Sequence, residues 1–169
     1  CSTDFGVDAV YDRFKQLQPK VFFAHQSYQY NGKQHDCTER MAAIQKQVQS
    51  ITHTIHLDAH AIFDDYPATI DQLQFVSVSF SDPIWVLFSS GTTGKPKALV
   101  HGAGHMLLEH LKALALHQNV CEGDTYFWYS TTGWMMWNYA LSSLLCGATL
   151  CLYQGAPNHP TKDSLWHFA

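Results

Sequence analysis

Residues 84–97 read Ile84-Trp-Val-Leu-Phe88 and then Ser89-Ser-Gly-Thr-Thr-Gly-Lys-Pro-Lys97. The first five are continuously apolar and rich in β-branched and aromatic side chains, which predicts a buried strand. The nine that follow supply two glycines, two serines, two threonines and two lysines. Glycines permit positive φ and close approach of the backbone, so successive N–H groups are able to line one concavity around an anion. The hydroxyls of Ser89, Ser90, Thr92 and Thr93 add donors, and Lys95 and Lys97 add charge. Placed after a parallel strand, such a loop stands where α/β proteins bind ligands. It differs from the common P-loop, which needs Gly, four residues, then Gly-Lys-Ser/Thr; here Ser89 stands five before Gly94, and Pro96 follows Lys95. Composition alone leaves a phosphate cradle and a plain surface loop about equally open.

Working outward, helix and strand signals alternate. A helix capped by Asp4 or Thr3 is expected with Phe5, Val10, Phe14 and Leu17 on its apolar face, ending before Pro19. Val21 to Ala24 reads as a strand buried on both faces, Asn31-Gly32 as a tight turn, and Asp36 with Glu39 as a capping box. Met41, Ile44 and Val48 then give one helical face, and Ile51 to Leu57 a strand. Asp64-Asp65-Tyr66-Pro67 marks a break. Beyond the loop, Ala98 to His101 is extended and Met106 to His117 a helix with Leu107, Leu108, Leu111, Leu114 and Ala115 on one side. Tyr126 to Tyr129 is a strand, Trp134 to Cys146 a helix closed by Gly147, and Ala148 to Tyr153 a strand. The fold class expected is α/β, a largely parallel sheet with helices on both faces.

Composition bounds the function. A chain of 169 residues with 46% hydrophobic and 14% charged residues has material for a core. A net charge of -4 and the lack of a Lys/Arg cluster exclude a nucleic-acid surface, though not a lone nucleotide. No apolar run reaches membrane-span length, so no membrane partner is expected. Five cysteines, an odd number without framework spacing, read as free thiols in a reducing, cytoplasmic compartment, with Cys121, Cys146 and Cys151 expected to be buried. Eleven histidines raise a metal question. His53, His56 and His60 would diverge on a strand and turn, and His101, His105 and Glu109 share a face only if one helix carries all three; no metal site is expected.

The order of residues from Phe88 to Lys97 resembles the loop of the acyl-adenylate-forming superfamily: an aromatic, then Ser-Ser-Gly-Thr-Thr-Gly-x-Pro-Lys. Thr3-Asp-Phe-Gly6, Pro19-Lys-Val21, Pro96-Lys-Ala-Leu-Val-His-Gly102, Leu108-Glu-His-Leu-Lys112 and Tyr153-Gln-Gly-Ala-Pro157 extend the likeness. Thr131-Thr-Gly-Trp-Met-Met-Trp-Asn138 resembles the acetoacetate-activating branch, with the acetate-activating branch next. The resemblance implies a ligase that joins a carboxylic acid to CoA through an acyl-adenylate, with ATP, Mg²⁺ and CoA. It assigns Ser89, Ser90, Gly91, Thr92, Thr93, Gly94 and Lys97 to the ATP phosphates, Thr92 and Lys97 among them as catalytic, and leaves Lys95 at a variable, solvent-facing position. Gly133, Trp134, Met135 and Met136 would line the acyl pocket; read without it, Met and aromatics at a helix start are ordinary core. The Tyr-Gly-x-Thr-Glu stretch, ribose-binding Asp, hinge and C-terminal catalytic Lys of that superfamily have no counterpart in 1–169. Residues 1–169 are therefore expected to be part of the large N-terminal region, truncated at both ends and lacking the C-terminal lid domain. Acetate or another short-chain acid, and a non-catalytic nucleotide-binding module, are the alternatives; oligomeric state is left open.

Overall fold

The computed structural model describes residues 1–57, 74–89 and 94–169. Helix α1 (Val7–Leu17) comes first, followed by strand β1 (Val21–Ala24), the hairpin β2 (Ser27–Tyr30) and β3 (Lys33–Asp36), helix α2 (Thr38–Gln47) and strand β4 (His53–His56). Strand β1 pairs β4 in parallel, from Val21 opposite His53 to Ala24 opposite His56, with α2 as the crossover. Both helices lie on this pair through Val10, Ile44 and Val48, with Phe14 edge-on to Phe22 at 5.7 Å. A second cluster, Ala24, Cys37 and Met41, closes the start of α2.

Several sequence expectations shift here. The residue preceding α1 is Gly6 rather than Asp4 or Thr3, and no side chain caps it; Gln18 ends the helix in the left-handed region at φ 49°. The expected box does not form: Cys37 is the N-cap residue of α2 with no side-chain cap, and Asp36 Oδ1 instead accepts from the Thr38 amide at 2.6 Å, two residues on. Strand β1 is not buried on both faces, since Phe23 is 59% exposed. The Asn31-Gly32 turn stands as expected, both residues at positive φ (51° and 71°), as a two-residue hairpin turn requires.

The second half begins with β5 (Pro83–Ser89) and β6 (Lys97–Gly102), followed by α3 (Ala103–Leu111), whose last turns widen into a π-helix over Lys112–His117. Then come β7 (Thr125–Phe127), α4 (Met135–Leu141) with a 3₁₀ extension Ser142–Cys146, β8 (Thr149–Cys151) and α5 (Ser164–Phe168). Strands β7 and β8 pair in parallel, Thr125 opposite Thr149, with α4 as the crossover. Gly147 closes that crossover at φ 77° as expected. Leu114, fully buried, packs with Val120 and Ala148. Helix α3 starts earlier than expected, and its buried residues are His110 and, in the π segment, Leu114, while Leu107 and Leu108 are exposed. The architecture is α/β, with two parallel strand pairs carrying helical crossovers and two antiparallel hairpins.

Candidate functional site: a glycine-rich hairpin loop and a tryptophan–methionine turn

Strand β5 forms because Pro83 fixes the entry and Ile84 to Phe88 favour extended backbone. Strand β6 returns along it: Ser89 pairs with Lys97, Phe88 with Ala98, Leu87 with Leu99 and Val86 with Val100. The loop is therefore not the exit of a parallel strand, as the sequence suggested, but the link of an antiparallel hairpin. Two strands this close in sequence have no room for the crossover that parallel pairing needs. Ser90, Gly91, Thr92 and Thr93 lie outside the described residues. Ser89 ends β5 at the mouth of the loop, and Lys97 opens β6 directly opposite. Gly94 has φ 155°, which L side chains rarely adopt, and a Cβ there would meet nothing within 4 Å among the described residues.

The two lysines of the loop differ in their surroundings. Lys95 Nζ donates to Asp12 Oδ1 at 3.0 Å. Lys97 is exposed and has no ion pair or side-chain hydrogen bond among the described residues. Asp12 also receives Lys15 at 2.8 Å, and the bonds from these two lysines, Lys15 first, hold its carboxyl below the usual range. Beside this pair Gln16 Nε2 donates to the carbonyl of Pro96 at 2.9 Å. Asp12, Arg13 and Gln16, which the sequence did not single out, lie along about one turn of α1 among its other polar residues, Asp8 and Lys15.

The second motif opens α4. Trp134 is its N-cap residue in extended backbone, and Met135 and Met136 form the first turn. Trp134 is 67% and Met135 55% exposed, so neither is core; Met136 is half-buried. Gly133 runs against the N-terminal segment: a Cβ there would stand 3.0 Å from Ser2 Cβ and 3.2 Å from the Ser2 amide. The other end of α4 is pinned. His110 Nδ1 lies 2.6 Å from Ser142 Oγ, and that hydroxyl donates to the Asn138 carbonyl at 3.1 Å. The His110 ring lies between Trp85 of β5 (5.6 Å) and Tyr139 of α4 (5.2 Å). Burial pushes its pKa down from 6.5, with Glu109 opposing and His101 assisting.

Two cavities open among the described residues. One of about 410 Å³ lies between α1, β1 and α2 and reaches Thr132; the other, about 620 Å³, lies between the β2–β3 hairpin and residues 153–156. Neither is lined by Ser89, Gly94, Lys97 or Gly133 to Met136. The histidine pairs have other partners: His101 lies on β6 with Nδ1 near the Leu99 carbonyl, His105 packs on Phe80, and Glu109 binds Lys112. No group of three potential metal ligands occurs among the described residues, and His60 lies outside them. Cys121 is exposed, and Cys146 and Cys151 half-buried, against the expectation of buried thiols; all five cysteines are free.

Residues 1–169 match the family model described as AMP-binding enzyme. Acetoacetyl-CoA synthetase of Rattus norvegicus is 40% identical over 98% of this chain and 27% of its own length. Acetoacetyl-coenzyme A synthetase of Rhizobium meliloti (strain 1021) is 38% identical, over the whole chain and 28% of its own length. The solved acetoacetyl-CoA synthetase from Streptomyces lividans superposes with a TM-score of 0.93 at 42% identity, covering all of this chain and 27% of that one. The chain thus spans a little over a quarter of the length of these relatives. With the family model matched over residues 1–169 and the fold over the whole chain, the chain belongs to the AMP-binding enzyme family.

Proposed function

We propose that these residues are the phosphate-binding and acyl-binding part of an ATP-dependent acid–CoA ligase whose acid is acetoacetate. The observation that supports this most is that the chain carries both a Lys97 at the loop mouth with no side-chain partner among the described residues and an apolar turn whose Trp134 and Met135 are exposed. A carboxylate resists acyl transfer because its charge repels nucleophiles and oxide leaves poorly. Its oxygen attacks the α-phosphorus of ATP, the bond to the bridging β-phosphate oxygen breaks, and pyrophosphate leaves. The CoA thiolate then adds to the acyl carbon and AMP departs with its oxygen.

The catalytic demand in the first step is electrostatic, since charge gathers on the leaving pyrophosphate. Lys97, the hydroxyls of Ser89, Ser90, Thr92 and Thr93, and the amides made accessible by Gly91 and Gly94 meet that charge. Mg²⁺ carried on the phosphates supplies further neutralisation when bound. Trp134, Met135 and Met136 offer the acid a soft apolar wall that suits a methyl ketone. In this reading residues 1–169 belong to the large N-terminal region and act together with a lid domain. Five free thiols accord with a cytoplasmic setting, and no described helix is long and apolar enough to cross a membrane.

The test is ATP–pyrophosphate exchange by the full-length protein containing these residues, with acetoacetate, acetate, butyrate and a panel of amino acids. The fastest exchange is expected with acetoacetate. Preference for another acid would keep the chemistry and replace the substrate. No exchange with any acid by folded protein would refute the ligase reading.

A further inference from the structure

We propose that α1 is the positioning element of the loop: Asp12, Arg13 and Gln16 hold both of its arms, engage Lys95, and leave Lys97 as the cation presented to the ATP phosphates. The proposal rests on the ligase reading above and adds residues that lie outside the loop motif.

The grip reaches both sides of the hairpin. On the ingoing strand, the Arg13 guanidinium stands 5.6 Å from the Phe88 ring centroid and 4.8 Å from that of Phe5, a doubly stacked cation steadied by its Nη1 bond to the Ala9 carbonyl at 2.7 Å. On the outgoing arm, Asp12 Oδ1 takes Lys95, and Gln16 Nε2 bridges the carbonyls of Asp12 (2.7 Å) and Pro96 (2.9 Å). Proline has no N–H, so its carbonyl is the only backbone group through which Pro96 is held by hydrogen bonding. Lys97 comes immediately after it. The platform is firm because Val10 and Phe14 of the same helix are packed against α2 and β1.

Each of these contacts is partly exposed, and a single surface ion pair contributes little. Their value lies in direction. Three side chains of one helix fix residues on both arms, so neither arm can part from α1 without breaking contacts. Stabilising a transition state by charge depends on placement to within a fraction of an ångström, which makes such a grip visible in the ATP step. Asp12 also partitions the charge: Lys95 is engaged by the protein, while Lys97 has no partner among the described residues.

The experiment compares Asp12→Ala, Gln16→Ala and the double variant with the unaltered full-length protein, using three readouts. The first is the rate of tryptic cleavage after Lys97 without nucleotide; Lys95 precedes proline and is not cut. The second is KM for ATP and for the acid in pyrophosphate exchange. The third is CoA thiolysis of supplied acyl-adenylate. Cleavage is expected to quicken about threefold and KM for ATP to rise roughly three- to tenfold in the double variant, with KM for the acid and thiolysis unchanged. Asp12→Lys should show the same defect, and Asp12→Lys with Lys95→Asp should restore both readouts. Unchanged cleavage and unchanged KM for ATP in an active protein would overturn the proposal, as would equal losses in all three readouts. An unaltered protein that exchanges with no acid would instead overturn the ligase reading and the purpose given to the grip, while faster cleavage in the variants would still establish the contact.

Discussion

The loop arm Lys95–Lys97 and the turn Gly133–Met136 are held in opposite ways. The arm is tied by directional polar contacts from α1, with Lys95 and the Pro96 carbonyl each given a partner. The turn presents Trp134 and Met135 to the outside, and the polar contacts of its helix lie toward the far end, where His110 meets Ser142 and Gln118 meets Tyr139. The difference reflects the work each would do. A cation meeting phosphate oxygens must stand at one distance and angle, which hydrogen bonds impose. An apolar wall needs only shape and surface, so it tolerates a loosely held side chain until ligand or protein covers it.

Four substitutions test this contrast, in order of expected size. Lys97→Ala should slow pyrophosphate exchange by about 10²–10³ with an unaltered thermal midpoint, the usual cost of removing one transition-state donor. A loss below tenfold would mean that Lys95 or the loop amides carry the role. Met136→Trp should change the ratio of kcat/KM between acetoacetate and acetate by roughly 10- to 100-fold, because filling an apolar pocket discriminates by size. An unaltered ratio would move Met136 into the core. Ser142→Ala should cost about 1–3 kcal/mol in a denaturation midpoint by leaving a buried imidazole nitrogen unpaired. If it costs nothing, α4 is as loosely held at that end as at Trp134. The smallest effect is on pH dependence. Because burial lowers the His110 pKa below 6.5, the unfolded chain binds a proton there first as pH falls. Stability should therefore be full above about 6.5 and decline as pH drops from 6.5 toward the folded-state pKa. His110→Asn should flatten that decline, and an identical slope would assign it to other groups.

Much of the fold was legible because the signals were local. Asn31-Gly32 fixes its turn by the positive φ both residues accept, and Gly147 ends the α4 crossover for the same reason. Met41 and Ile44 follow helical spacing into the core. Pairing was where the sequence misled. A short apolar run says nothing about its neighbour, so β5 read as a parallel strand although Lys97–Gly102 returns along it. Burial was overstated where the apolar run was trusted alone: Phe23, Leu107 and Leu108 are exposed. Lys97 and Met136 were singled out as motif members, whereas the α1 contacts were not, because those between Asp12 and Lys95 or Gln16 and Pro96 cross some eighty residues of chain. Nothing in a linear pattern links polar residues so far apart.

The wide turns of Lys112–His117 make this stretch of helix tolerant of a change in length. A π segment is an α-helix with extra backbone accommodated in the same axial space. Removing one residue from a regular helix rotates the two flanking parts by about 100° against each other, so one of two buried faces is lost. Removing one here, Ala113 for instance, would let the bulge close to ordinary α geometry. His110 would still meet Ser142, and Leu114 would still pack with Val120 and Ala148. A one-residue gap at this place in a related chain therefore marks the same seating of the helix with the slack taken out, whereas the same gap one turn earlier, near Leu107, would turn the start of the helix out of register.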